Sequence, residues 1–213
     1  MAFYNSIDDG NNFVISFSQN PEQDFGIFAK GYTQAASILA EHVLEKSYFS
    51  DYEAYPIVFL YRQAFELYLK GLFIQADNIF TYKDLQKIEC QFFYRHRLQP
   101  FAETFRKICT ILFPLDQGMA QVSNLVYRYA VEFDQIDSES FGYRYPIDTK
   151  GNSSTKHHQV VNLQAFHTCM KDLLNKMSVV DFGFDIEVTK AQEILKIMKE
   201  AERNITLAKD KTY

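Results

Sequence analysis

Apolar residues recur along most of this chain at the three-and-four spacing of helices, not the alternation of strands. One stretch goes further. From Ala54 through Ile74 (AYPIVFLYRQAFELYLKGLFI) apolar side chains fall on every side of the helix that the spacing predicts, broken only by a polar row of Arg62, Glu66 and Lys70. A helix apolar all round belongs in the middle of a bundle, because no face of it suits water. Pro56 fits its first turn, where a missing N–H costs nothing.

The flanking patterns predict the helices around it. A first helix is expected from about Gly31 to Lys46, burying Tyr32, Ala35, Ala36, Leu39 and Val43. After a polar connection over 77–94, a third begins near Arg97, carries Leu98, Phe101, Phe105, Ile108 and Leu112, and stops at Pro114. Asp116 can cap a fourth, with Met119, Val122, Val126, Tyr129, Phe133 and Ile136 on one face. A fifth starts at Asn162 with the row Leu163, Phe166, Met170, Leu173 and Met177. A break at Asp181-Phe-Gly183 then precedes a last amphipathic helix within 186–209. Residues 1–25 read as an arm, 141–147 as a short extended insert, and 148–155 as a polar loop or hairpin tip. The expectation is a single all-α domain, an antiparallel bundle of five to six helices.

Composition narrows the class. With 213 residues and 47% apolar content the chain can bury one substantial core, and its 20 Phe and 14 Tyr suit a packed interior. A net charge of -5 argues against a broad basic nucleic-acid surface, though not against a local basic pocket. Cys90, Cys109 and Cys169 form no C-x-x-C pair, so free thiols in a reducing, cytoplasmic setting are expected. No apolar run reaches the ~18 residues of a membrane span, so no membrane partner is expected.

Motifs for phosphate loops, metalloprotease helices, nucleophile elbows and calcium loops are missing, so neither a cofactor nor a metal is expected. His157 and His158 are adjacent and cannot place both rings on one helical face. Four features remain. Arg62, Glu66 and Lys70 form either a self-neutralising buried ladder or a cleft where a cation meets phosphate. Arg95-His96-Arg97, opening the third helix, reads as a phosphate seat at a helix N-terminus or as a solvated basic turn. Arg144, between Tyr143 and Tyr145 in extended backbone, would point away from both rings, toward Glu66 or into a pocket with His96. His167 shares a row with Leu163 and Met170, the usual setting of a satisfied core histidine.

Four segments occur in one order: FAKGYTQAA at 28–36, YRQAFELYLK at 61–70, His96-Arg-Leu98, and DSESFGYRYPID at 137–148. In that order they resemble bacterial HEPN-like proteins, all-α bundles met in toxin–antitoxin and phage-defence settings, over roughly residues 25–180. The resemblance implies a metal-independent RNase working as a homodimer. In that chemistry a histidine moves the ribose 2′-OH proton and an arginine stabilises the phosphorane-like charge. Here those roles would fall to His167 or His96 and to Arg144, with Arg62, Glu66, Lys70, Arg97 and Asn162 binding the ligand. The chain departs from the family's arginine-to-histidine motif, since Asn162 stands where the cation belongs, ahead of His167. The alternative that this departure implies is a catalytically inactive module binding a nucleotide, RNA or a partner protein.

Overall fold

The computed structural model describes residues 24–88, 96–137, 140, 142–148, 150–154 and 160–210, with side chains as far as 204. The arm before residue 24, Arg95, Cys90 and the His157-His158 pair lie outside these residues. Five α-helices make up the described chain: α1 (Phe25–Leu44), α2 (Ala54–Tyr82), α3 (Leu98–Leu112), α4 (Gln117–Asp137) and α5 (Leu163–Asp210). The fold is all-α and bundle-like. No helix among the described residues is long and apolar enough to cross a membrane.

As its pattern requires, α2 is the central element. Tyr61, Ala64, Phe65, Leu69, Leu72 and Ile79 are fully buried on its inner side, and the buried Gly71, Phe73, Phe80 and polar row extend the burial around most of its circumference. Helices α1, α3 and α5 pack against α2, and α4 lies on α3 and α5. The α1/α2 pair is antiparallel, with Phe25 beside Gly71, where an added Cβ would sit 3.1 Å from the Phe25 Cβ. By contrast α5 runs parallel to α2, since Tyr61 meets His167, Gln75 meets Asp181 and Tyr82 meets Gln192. Two helix starts follow the sequence closely. Asp116 Oδ1 accepts the Met119 N–H at 2.9 Å, and Asn162 Oδ1 accepts the Ala165 N–H at 2.9 Å.

Elsewhere packing overrides local signals. Helix α1 begins earlier than expected, at Phe25, and is rotated: Ala29, Ala36, Ala40 and Val43 are buried, whereas Leu39 is exposed. Small residues on the inner face let α1 and α2 approach closely. Helix α2 continues through the expected connection to Tyr82, because Ala76, Ile79 and Phe80 prolong its buried rows past Asp77. The break at 181–183 does not occur, and α5 is one helix of 48 residues, about 70 Å long at ~1.5 Å per residue. Asp181 accepts a hydrogen bond from Gln75 at 3.1 Å, and the fully buried Phe184 packs on Phe105 and Phe113. Those contacts carry the helix across Gly183. Beyond Ala191, α5 leaves the core, and Ile194, Ile197 and Met198 are exposed.

The insert expected to be extended contains a turn. Residues 142–144 are turn, and Ile147 pairs with Ser153 in a single antiparallel bridge. The loop between them is a hairpin tip, closed by Asp148 N–H to Asn152 O at 2.8 Å and held by the Asp148 carboxylate.

Leu69→Ala, which removes a fully buried side chain of α2, is expected to lower stability by about 2–5 kcal/mol. Ile197→Ala, on the part of α5 that leaves the core, should change it by less than about 0.5 kcal/mol. Urea denaturation of both variants checks the central placement of α2.

Candidate functional site

On α2 the polar row is a chain of ion pairs inside the protein. Arg62, Glu66 and Lys70 stand one turn apart, with side chains 0%, 2% and 10% exposed. Glu66 Oε2 accepts from Arg62 Nη1 at 3.1 Å, and its Oε1 accepts from Lys70 Nζ at 2.7 Å. His96, arriving just before α3, places Nδ1 3.0 Å from the same Oε1, and its carbonyl accepts from Arg62 Nη2 at 2.7 Å. An ionised carboxylate only accepts, so His96 Nδ1 carries a proton and donates it to Glu66. The His96 side chain is 44% exposed, which makes it the solvent-facing member of the cluster. Arg62 Nε is buried with no acceptor.

The expected phosphate seat at the start of α3 is already filled by the protein itself. Asp134 of α4 accepts the N–H groups of Leu98 and Gln99, each at 2.9 Å, and Arg97 Nε lies 3.9 Å from its carboxylate. A carboxylate at that helix start satisfies the unpaired donors and the dipole that would otherwise draw an anion. Burial raises the Asp134 pKa above the ordinary value, while the two N–H bonds, Arg62 and Arg97 pull it back. Asp134 was absent from the expected site. Its signal is faint but real, a carboxylate one turn after the buried Ala130, on the inner side of α4.

His167 belongs to a second cluster. Its Nδ1 is 2.7 Å from the Tyr61 hydroxyl and its Nε2 is 3.6 Å from Glu41, which pairs with Lys171 at 2.8 Å. Burial lowers the His167 pKa, as does Lys171, and Glu41 opposes them. Burial likewise pushes the Tyr61 phenol up to about 12. Tyr61 and Arg62 are consecutive, so their side chains leave α2 about 100° apart, and the two histidines serve different sides of the helix.

Arg144 is placed by the turn. Its Nε donates to the Ser140 carbonyl at 2.6 Å, and its guanidinium lies 5.7 Å from the Phe59 ring centroid and 5.8 Å from that of Tyr145. The expectation that it points away from both neighbouring tyrosines fails because the backbone turns there. The groups that meet Glu66 are Arg62, Lys70 and His96. Asn162, besides capping α5, lines an apolar cleft of about 330 Å³ between α4 and α5, with Phe133, Tyr143, Phe166 and Met170. Of the candidate residues, then, Arg62, Glu66, Lys70, His96 and Arg97 come together, His167 and Asn162 serve other contacts, and Arg144 packs on Phe59 and Tyr145. Compared with known proteins, the chain matches no family model, no curated protein and no solved structure.

Glu66→Gln leaves two buried cations without a counter-charge and is expected to destabilise by about 3–5 kcal/mol. Replacing the row together (Arg62→Met, Glu66→Leu, Lys70→Met) should be less damaging than Glu66→Gln alone, as urea unfolding would show.

The lowered pKa of His167 gives a pH dependence of definite sign. Below the ordinary histidine value of 6.5 the unfolded chain binds a proton that the folded chain resists. This contribution is intact above about pH 6.5 and is lost as pH falls through the folded value. The fall in urea midpoint below that pH should be shallower in His167→Gln.

Proposed function

We propose that this chain is a catalytically silent HEPN-like module that works by binding another protein. One observation carries the reading: apart from the solvent-facing His96, the groups that would serve the family's chemistry are engaged by the fold. Glu66 neutralises Arg62 and Lys70, Asp134 occupies the start of α3, Asn162 caps α5, and His167 is buried against Tyr61. Large apolar side chains on α1 and α5 remain exposed, among them Phe28, Ile38, Phe182 and Ile197. Exposed apolar surface of that kind is what a protein partner covers. A toxin–antitoxin or phage-defence setting is the one that the resemblance would imply for such a module.

A second reading rests on His96. Its half-exposed ring is oriented by the Glu66 carboxylate and stands next to Arg97. A histidine held by a carboxylate beside a guanidinium is a workable pair for taking a 2′-OH proton and stabilising the charge that follows. In this version the chain is an RNase and His167 plays a structural part.

Incubation of the purified protein with total RNA in chelator separates the two. The RNA is expected to stay intact, and nucleotides or short RNAs should leave the melting temperature unmoved, since a ligand that binds only the folded state raises it. Cleavage that disappears in His96→Ala and persists in a folded His167→Ala variant would reject the silent module in favour of the RNase.

A further inference from the structure

Helices α4 and α5 touch only lightly, and the space left between them is the cleft of about 330 Å³. The choice of side chains opens it. On α4, Tyr129, Phe133 and Ile136 follow the helical spacing along the cleft, whereas α5 answers with the small Ala165 and Cys169. Phe166 and the buried Met170 line the inner part, where the Phe166 ring stands edge-on to Phe133 with centroids 6.1 Å apart. The volume falls at the lower end of the roughly 300–1,000 Å³ of small-molecule pockets.

Such pockets join apolar walls to a few polar groups with nothing else to bind. Among the described residues that line this cleft, Glu132 carries the only charge. It interrupts the row of Tyr129, Phe133 and Ile136, and its carboxylate has no hydrogen bond or ion pair among the described residues. Arg128, one turn earlier, is turned to Tyr129 instead: Nη2 donates to the hydroxyl at 3.3 Å, and the guanidinium lies 4.9 Å from the ring centroid. The Tyr143 hydroxyl likewise has no hydrogen-bond partner among the described residues. Burial pushes that phenol up to about 12, so it stays neutral. Asn162 has already spent its Oδ1 on the start of α5.

We infer that this cleft binds a small arylalkylamine, its ammonium at Glu132 and its apolar body against Phe133, Phe166 and Met170. An ammonium only donates, and both groups left without a partner offer acceptor oxygens. The aromatic rings around the cleft attract a cation further wherever it lies over a ring face. A carboxylate in an otherwise uncharged, largely apolar lining disfavours anions, so the same site rejects acids and phosphates. The amine site goes beyond the protein-binding reading and stands whether or not that reading does.

The full chain supplies its own reporter. Cys169 is an exposed thiol on the cleft lining, whereas burial pushes the Cys109 thiol up to about 12 and leaves it a poor nucleophile. Alkylation of Cys169 by iodoacetamide is followed by peptide mass spectrometry, and the melting temperature is read alongside. The probes are phenethylamine, the neutral phenethyl alcohol and the anionic hydrocinnamate. With a Kd on the order of 1 mM, about 10 mM phenethylamine should raise the melting temperature by roughly 3–5 °C and slow the alkylation about tenfold. The alcohol should do less and hydrocinnamate nothing. Glu132→Gln, at an exposed and unpaired side chain, should bring the amine down to the level of the alcohol. Ala165→Phe, at an exposed position of α5, should fill the cleft and abolish the amine's effect on melting, with an unchanged circular dichroism spectrum. No shift and no protection with phenethylamine overturns the inference. So does an alcohol or acid that matches the amine on the wild-type protein, or an amine preference that survives Glu132→Gln or Ala165→Phe.

Discussion

One buried carboxylate organises this molecule. Glu66 sits in the most apolar part of the chain with two cations that cannot reach water, and each of its oxygens is committed to them. The row needs an outside partner, and the backbone and ring of His96 provide it. That requirement fixes where the chain must return after α2. Once His96 is seated, Leu98 and Gln99 present the N–H groups that Asp134 accepts, and α4 is thereby set on α3. A sequence of polar contacts running from α2 to α4 therefore decides the arrangement of helices whose apolar faces alone would tolerate several. Such networks contribute little net stability, because removing charge from water costs nearly what the pairing returns. Their effect is on which packing is adopted.

The central helix and its polar row were legible in the sequence because periodicity reports burial directly. Asp116 and Asn162 were legible as caps because short polar side chains before an apolar row have few other uses. What the sequence obscured is also physical. The inner face of α1 consists largely of alanines, which any hydrophobicity pattern ranks below Leu39, so the expected stripe shares Ala36 and Val43 with the buried face but is turned toward Leu39. Asp77 and Gly183 resemble helix stops, yet Ile79, Phe80 and Phe184 bury enough surface to carry the helices past them. Arg95-His96-Arg97 resembles an anion seat for as long as the carboxylate that fills it, distant along the chain, goes unnoticed.

The two histidines show how little residue type says about chemistry. Both are bonded through Nδ1, one to a carboxylate and one to a phenol. His96 is bonded to a group that can only accept, which makes its Nδ1 the donor and leaves Nε2 on a half-exposed ring. His167 is enclosed, its charged form disfavoured by burial and by Lys171. The residue standing nearest to the family's motif, after Asn162, is thus the less suited to moving protons, and the better-suited one lies outside that motif.

Helix α1 divides its circumference into three uses. Small residues face α2, polar ones are drawn sideways to α5, where Glu41 holds Lys171, and the outward third is apolar. The sideways placement matters, because the charges that would keep a surface helix compatible with water are the ones tying it to α5. Among the described residues an added Cβ at Gly31 would meet nothing within 4 Å, and Phe28 and Ile38 are more than half exposed. Their apolar character therefore answers to something beyond the bundle, just as the apolar circumference of α2 answers to the helices that surround it.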